Sequence, residues 1–251
     1  LEMSDILENH KLYGGMVMLF DFKSGSVYAE YQYLKHRLDY KVRFERRGLY
    51  LTSQPITIQK YTLHQLEAGI SYPFDNYTRL SLTPFLASTY FNDLSINTLV
   101  SPYPSTWPSS TATTFYSGLK AELVLDRTTI QGLNLVEGTK AQIKIENYSP
   151  FNNSNGFTKF RTDIRHYQNI YREMIFATRL IYGKFIGNNA PNFIVGGMDN
   201  WILKKDDQSA SAERNPLAIT NLYDNRNILF AEYVTNLRGF NYNKMHGTDV
   251  L

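Results

Sequence analysis

The stretch Leu38-Asp39-Tyr40-Lys41-Val42-Arg43-Phe44-Glu45 decides the fold. Leu38, Tyr40, Val42 and Phe44 alternate with Asp39, Lys41, Arg43 and Glu45. An extended chain therefore presents one wholly apolar face and one wholly charged face. The same period of two recurs on either side. Val27, Ala29, Tyr31 and Tyr33 oppose Ser26, Tyr28, Glu30 and Gln32, while Leu119, Ala121, Leu123 and Leu125 oppose Lys120, Glu122 and Asp126. Thr139, Ala141, Ile143 and Ile145 oppose Lys140, Gln142, Lys144 and Glu146. Helical periodicity is nearly absent from residue 12 to about residue 183. The pattern predicts an all-β chain with nine strands, near 12–22, 26–37, 38–51, 57–73, 79–92, 115–126, 138–149, 158–168 and 171–183.

Length, 251 residues, allows one large all-β unit or two small domains. The formal net charge of +3 is too weak to point to nucleic acid, and none is expected as a partner. With no cysteine, disulfides, thiolate metal sites and cysteine nucleophiles are excluded. Aromatics are abundant, with 19 Tyr and 15 Phe against 2 Trp. Mean hydropathy is −0.36, and no apolar run approaches the roughly 18 residues of a membrane helix. Strands of a transmembrane barrel escape that test, because only one of their faces is apolar.

Strand length and aromatic placement bear on the choice. The runs 26–37, 38–51, 57–73 and 79–91 exceed the usual ~5–6 residues of soluble strands and suit the ~9–11 that cross a bilayer at a tilt. Tyr13, Phe20, Tyr50, Tyr61, Tyr72, Phe74, Tyr90 and Phe91 gather near strand ends, where interfacial girdles would lie. A soluble sandwich also alternates, with its charges outward. Alternation and length alone leave both folds standing. The connections favour the barrel: short joints at Arg37-Leu38, Asp75–Thr78 and Gln168–Ile170 fall at one end, and long ones (Asn92–Thr114 and the segment from Lys184 onward) at the other. The joint at 127–137 is a longer exception on the short side.

Signals for chemistry are poor. There is no G-x-S-x-G elbow and no glycine-rich phosphate loop. Ser117-Gly118-Leu119-Lys120 fits S-x-x-K, but a strand sends its Ser and Lys to opposite faces. His10, His36, His64, His166 and His246 are scattered, without metal-ligand spacing. Asn76-Tyr77-Thr78 is a glycosylation sequon only in a eukaryotic secretory context. No catalytic residue, metal or cofactor is expected, and the chain is not read as an enzyme.

The last third adds specific motifs. Phe193-Ile194-Val195-Gly196-Gly197, followed by Asn236-Leu237-Arg238-Gly239-Phe240, resembles the paired "GG … RGF/Y" signature of the outer-membrane assembly-factor superfamily, the bacterial surface antigen barrels of the BamA/TamA type. Thr162-Asp163-Ile164-Arg165-His166-Tyr167 and Phe176-Ala177-Thr178-Arg179 are similar to that family's "D-x-R-x-Y" and "A-x-R" strands. Leu125-Asp126-Arg127-Thr128 resembles a strand end of the family, and Tyr72-Pro73-Phe74 with Arg79-Leu80 its "YP…RL" hairpin. The order is kept from about residue 10 to residue 251. Ser4–His10 looks like the junction that follows a TolB-type β-propeller.

The resemblance implies an antiparallel transmembrane β-barrel of the assembly-factor type, here C-terminally incomplete. Residues 1–11 become a linker from a periplasmic domain outside the chain. Residues 12–251 become a partial barrel ending in an inserted outer loop, 184–251. Family barrels have about sixteen strands with this loop after the eleventh, against nine counted here. In the family the loop returns to the lumen, so Arg238 would be the inserted residue, with Gly239 turning the chain and Phe240 packing beside it. Arg161, Asp163 and Arg165 would be lumenal wall. The plainer alternatives are an ordinary surface-loop Arg238 and a merely flexible Gly196-Gly197. The charged strand faces would be a solvated lumen wall or a substrate path.

The function implied is assembly, insertion or translocation of outer-membrane proteins in the bacterial outer membrane, with the lipid bilayer, client barrels and periplasmic subunits as partners. An alternative is a structural anchor or pore carrying a periplasmic, partner-binding propeller. A third is a barrel tethering a catalytic domain outside this chain.

Overall fold

The computed structural model describes residues 1–18, 24–53, 57–93, 111–132, 135–151, 156–171, 174–187, 190–191, 193–196, 230, 232–236, 245–247 and 249–250. Among them the chain is all-β. Ten strands follow one another antiparallel in sequence order: β1 (Glu2–Ser4), β2 (His10–Met18), β3 (Gly25–Tyr33), β4 (Asp39–Ser53), β5 (Thr57–Pro73), β6 (Thr78–Asp93), β7 (Thr111–Gly132), β8 (Leu135–Pro150), β9 (Phe157–Tyr171) and β10 (Met174–Gly187). A small sheet of order β12-β11-β13 is built from β11 (Phe193–Gly196), β12 (Glu232–Asn236) and β13 (Met245–Gly247). β14 (Asp249–Val250) returns to the large sheet and pairs with β10 at Gly183 and Lys184.

The nine expected strands correspond to β2–β10. β1 pairs with Lys11–Tyr13 of β2 and lies in the segment read as a linker. One expectation is corrected: the supposed long joint at 127–137 is mostly ladder. β7 runs on to Gly132 and β8 starts at Leu135, with Thr128↔Gly138 and Ile130↔Val136 paired. Thr128, Thr129, Ile130 and Val136 favour extended backbone. Gly138 has φ +113° and lies against the Arg127 carbonyl, where a Cβ would come within 2.1 Å of that oxygen. The exception on the short-turn side disappears.

Among the described residues the large sheet is one continuous ladder. It is also open. Among the described residues no pairing joins β1 or β2 to β10 or β14. Its strands are nonetheless staggered. Ser71, Ser81, Glu122, Lys144 and Arg161 form one row of register partners. β5 runs two residues beyond that row, to Pro73, whereas β7 runs ten beyond Glu122, to Gly132, and β9 ten beyond Arg161, to Tyr171. Stagger of this kind accompanies strand tilt and is what a sheet needs to curl shut. Curl is present: Glu45 of β4 and Phe185 of β10 line the same cavity. In a flat sheet six interstrand spacings of ~4.8 Å would hold those strands about 29 Å apart.

Curling separates two faces of opposite character. Outward, on the convex side, the register aligns Tyr40, Ile70 and Leu82, and then Phe44, Leu66 and Leu86; further along, Leu123 aligns with Ile143 and Leu125 with Ala141 and Ile164. These large side chains are exposed: Leu86 is 55% and Val42 48% accessible. Inward, on the concave side, lie Glu45, Glu67, Glu146 and Asp163, all buried. The expected aromatic girdle is corrected in part. Tyr61 and Phe91 point inward with their rings tilted against each other at 4.9 Å, because odd positions of β5 and β6 face the concave side. Tyr13 shares that inward parity on β2. Tyr72 and Tyr90 do sit on the outward face, Tyr72 with its ring edge-on to Phe74 at 5.4 Å. Phe20 and the side chain of Tyr50 lie outside the described residues.

The β5–β6 turn shows how a hairpin end is fixed. Asp75 Oδ1 accepts the N–H of Tyr77 at 2.7 Å and of Thr78 at 2.6 Å. These amides, Tyr77 foremost, hold the Asp75 carboxyl below its ordinary value of 3.8. A depressed folded-state pKa contributes stability that is present above the unfolded value and lost as pH falls through the folded one. Protection of the Tyr77 and Thr78 amides from exchange, relative to Asp75→Asn, is therefore expected at neutral pH and should fade below about pH 4.

Candidate functional site

The candidate site is the concave face between β4 and β10, built by residues two apart on each strand. Its most ordered feature centres on Asp163 of β9. Arg165, two residues on and so on the same face, donates from Nε at 3.1 Å and from Nη2 at 2.9 Å. Arg179 of β10, the register partner of Arg165, donates to the same two oxygens at 3.2 and 2.7 Å. One carboxylate thus holds two guanidinium forks edge-on. The two strand motifs singled out in the sequence, Asp163-x-Arg165 and Ala177-x-Arg179, meet at this point.

A second cluster lies one step toward the long-joint end. Glu146 accepts Lys144 and the Tyr148 hydroxyl, each at 2.7 Å, with Lys159 at 3.9 Å. Lys120 reaches across from β7 to Glu67 on β5 at 2.5 Å, and Gln65 donates to Glu67 at 2.7 Å. On the β3–β4 side, Arg43 bridges Glu30 at 3.2 Å and Glu45 at 3.1 Å, and Arg47 also pairs with Glu45. Charges of both signs are interleaved, so the face is wettable without a strong net field.

Above these charges sits an aromatic patch. Tyr148 and Phe157 stack at 4.5 Å, Phe85 approaches Tyr148 at 4.8 Å, and Phe193 of β11 covers Phe185 at 4.4 Å. Gly118 makes room for Phe85: a Cβ there would fall 2.3 Å from the ring. Phe230, from the segment after β11, lies over Tyr148 at 4.8 Å and Phe157 at 5.6 Å. Two residues on, Glu232 sits between Lys159 and Arg161, paired with both. The segment following β10 therefore folds back onto the concave face through Phe193, Phe230 and Glu232. Between wall and segment remains a cavity of about 250 Å³, bordered by Glu67, Lys144, Glu146, Lys159 and Glu232.

Of the residues singled out from sequence, Arg161, Asp163 and Arg165 share this face of β9. Arg161 meets Glu232, and the other two form the clamp. Gly196 ends β11 opposite Asn236 of β12. Gly197, Arg238, Gly239 and Phe240 lie outside the described residues. Sequence reasoning missed Phe230 and Glu232, since nothing in their spacing announces a return to the wall. It also left Arg179 without a role, although strand parity puts it on the face of Asp163 across the hairpin. Ser117 and Lys120 point to opposite faces, as the strand reading requires. Among the described residues no group of three or more His, Asp or Glu converges as metal ligands would.

The arrangement can hold a chain segment by ion pairs and ring contacts. Glu232→Gln is expected to favour release of that segment by about 1–2 kcal/mol, or roughly 5- to 30-fold in the undocked population. Faster cleavage of the chain beyond β10 by added protease measures it. Unchanged cleavage would mean that Phe230 and β11 alone hold the segment.

A scan against protein-family models and a search of curated proteins found no match to this chain.

Proposed function

We propose that this chain is wall of a transmembrane β-barrel in a bacterial outer membrane, serving the assembly, insertion or translocation of other outer-membrane proteins. The observation that carries the membrane reading is the inversion of the sheet's faces. Leu86, Val42, Phe44 and Ile145 are exposed on the convex side, whereas Glu67, Glu146 and Asp163 are buried on the concave side. Water would favour the reverse, and a lipid environment outside a polar interior favours this. Dimensions agree. Leu80 to Tyr90 on β6 and Phe115 to Leu125 on β7 are ten residue steps each, which at ~3.3 Å per step and a tilt of about 40° cover about 25 Å of height, the depth of an apolar band.

The assembly role rests on the sequence resemblance and on the sheet's edges. Met174–Tyr182 of β10 has no strand on its outer side among the described residues. Its free N–H and C=O groups offer the template that strand addition requires. Depletion of the protein in its own cell, followed by measurement of other outer-membrane barrels, tests this role. A fall in their folded amounts is expected. Unchanged amounts would favour the alternative, a structural anchor or pore carrying a periplasmic propeller, for which the mixed-charge concave face would serve as the wet interior.

A further inference from the structure

We infer that Arg46 and His64 form a binding site for the phosphate headgroup of an anionic lipid on the outward face, an inference that rests on the membrane reading above. The two are direct cross-strand partners on β4 and β5, and both are exposed. They stand between the apolar row of Phe44, Leu66 and Leu86 and the band's edge at Tyr90, on the side of the long joints, so that the Arg46 stem carries its guanidinium up to headgroup level. Lys60 takes the same outward parity farther up β5, and Tyr90 lies beside Thr62 in the row between. Neither Arg46 nor His64 makes an ion pair with any described residue, whereas on the other face Arg43 and Arg47, on the same strand, are both paired.

Carboxylate placement supplies the complementarity. From β2 to β7 every strand carboxylate (Glu30, Asp39, Glu45, Glu67, Glu122 and Asp126 among the described side chains) takes an inward register position, and none takes an outward one. Arg46 and His64 therefore have no carboxylate beside them among the described residues of that face, and a phosphate would supply the acceptor. Arg offers a planar fork of donors and His a ring N–H, both suited to phosphate oxygens. A lipid is favoured over a free anion because the acyl chains of the same molecule would lie on the apolar row directly beside the pair. Arg46 at such a surface contributes about 1 kcal/mol, or about fivefold in affinity, and His64 adds a hydrogen-bonding ring nitrogen.

The test uses the full chain inserted in phosphatidylcholine vesicles containing a photoactivatable phosphatidylglycerol. Crosslinks are expected to concentrate around residues 44–48 and 62–66, and to fall at least about fivefold in Arg46→Gln/His64→Gln, while inorganic phosphate does not compete. Equal crosslinking of the wild type and the double variant would overturn the site. Competition by inorganic phosphate at the lipid's concentration would replace the lipid by a free anion and overturn the assignment. Failure of the chain to enter the vesicles would sink the membrane reading and this site with it. Entry without local crosslinks sinks the site alone.

Discussion

Leu86→Arg is expected to lower stability in a bilayer by about 2–4 kcal/mol, the cost of a cation facing lipid near the midplane. Leu86 is outward, 55% exposed, and flanked in register by Leu66. In water an exposed leucine tolerates arginine within about 0.5 kcal/mol, so the two environments predict different results for one substitution. Depth provides the control. Ser88 lies one outward position farther along β6, in the row of Arg46 and His64. Ser88→Arg should cost less than Leu86→Arg, because from two residues inside the band's edge at Tyr90 an arginine stem can reach headgroups. Denaturant unfolding of the three proteins in vesicles gives both numbers. Equal, small costs at the two positions would contradict a lipid-facing convex side.

Asp163→Ala should produce the other large effect. It removes the shared acceptor of Arg165 and Arg179, leaving two guanidinium groups side by side on adjacent strands. Asp163 is buried, and breaking a fully buried pair costs about 3–5 kcal/mol. Both arginines are more than a third exposed, so solvent screening reduces the expected loss to about 2 kcal/mol. Arg179→Lys separates charge from geometry: it keeps a cation but loses the bidentate fork, and should cost about 1 kcal/mol. The measurement is again unfolding in vesicles. A loss in Asp163→Ala no larger than in Arg179→Lys would mean that the clamp is held by charge density alone.

Much of the fold was legible because the period of two is strong and uninterrupted. Leu38–Glu45 alone assigns eight side chains to two faces, and the register extends that assignment across β3, β4 and β5. Turn chemistry was less reliable. The segment 127–137 reads as a joint, yet the β-branched residues Thr128, Thr129, Ile130 and Val136 prolong the hairpin through it. Aromatics were located by position along the chain rather than by parity, which is why Tyr61 and Phe91 were assigned to a girdle and found inside. Part of the site was legible for the same reason as the fold. Asp163 and Arg165 are two apart, hence on one face. The partnership with Arg179 depended on hairpin register, and Glu232 with Arg161 on a contact 71 residues apart in sequence, which no local pattern encodes.

The central claim is that the convex face lies in lipid and the concave face does not. The chain has no cysteine, so a single introduced thiol is the only labelling site. A fluorophore placed in turn at Leu82, Thr83, Leu86 and Ala87 samples outward, inward, outward and inward positions of β6. In vesicles the labels at 82 and 86 should be quenched by a lipid-borne quencher and shielded from aqueous iodide, while those at 83 and 87 should show the reverse. Equal access of iodide to all four positions would contradict the account.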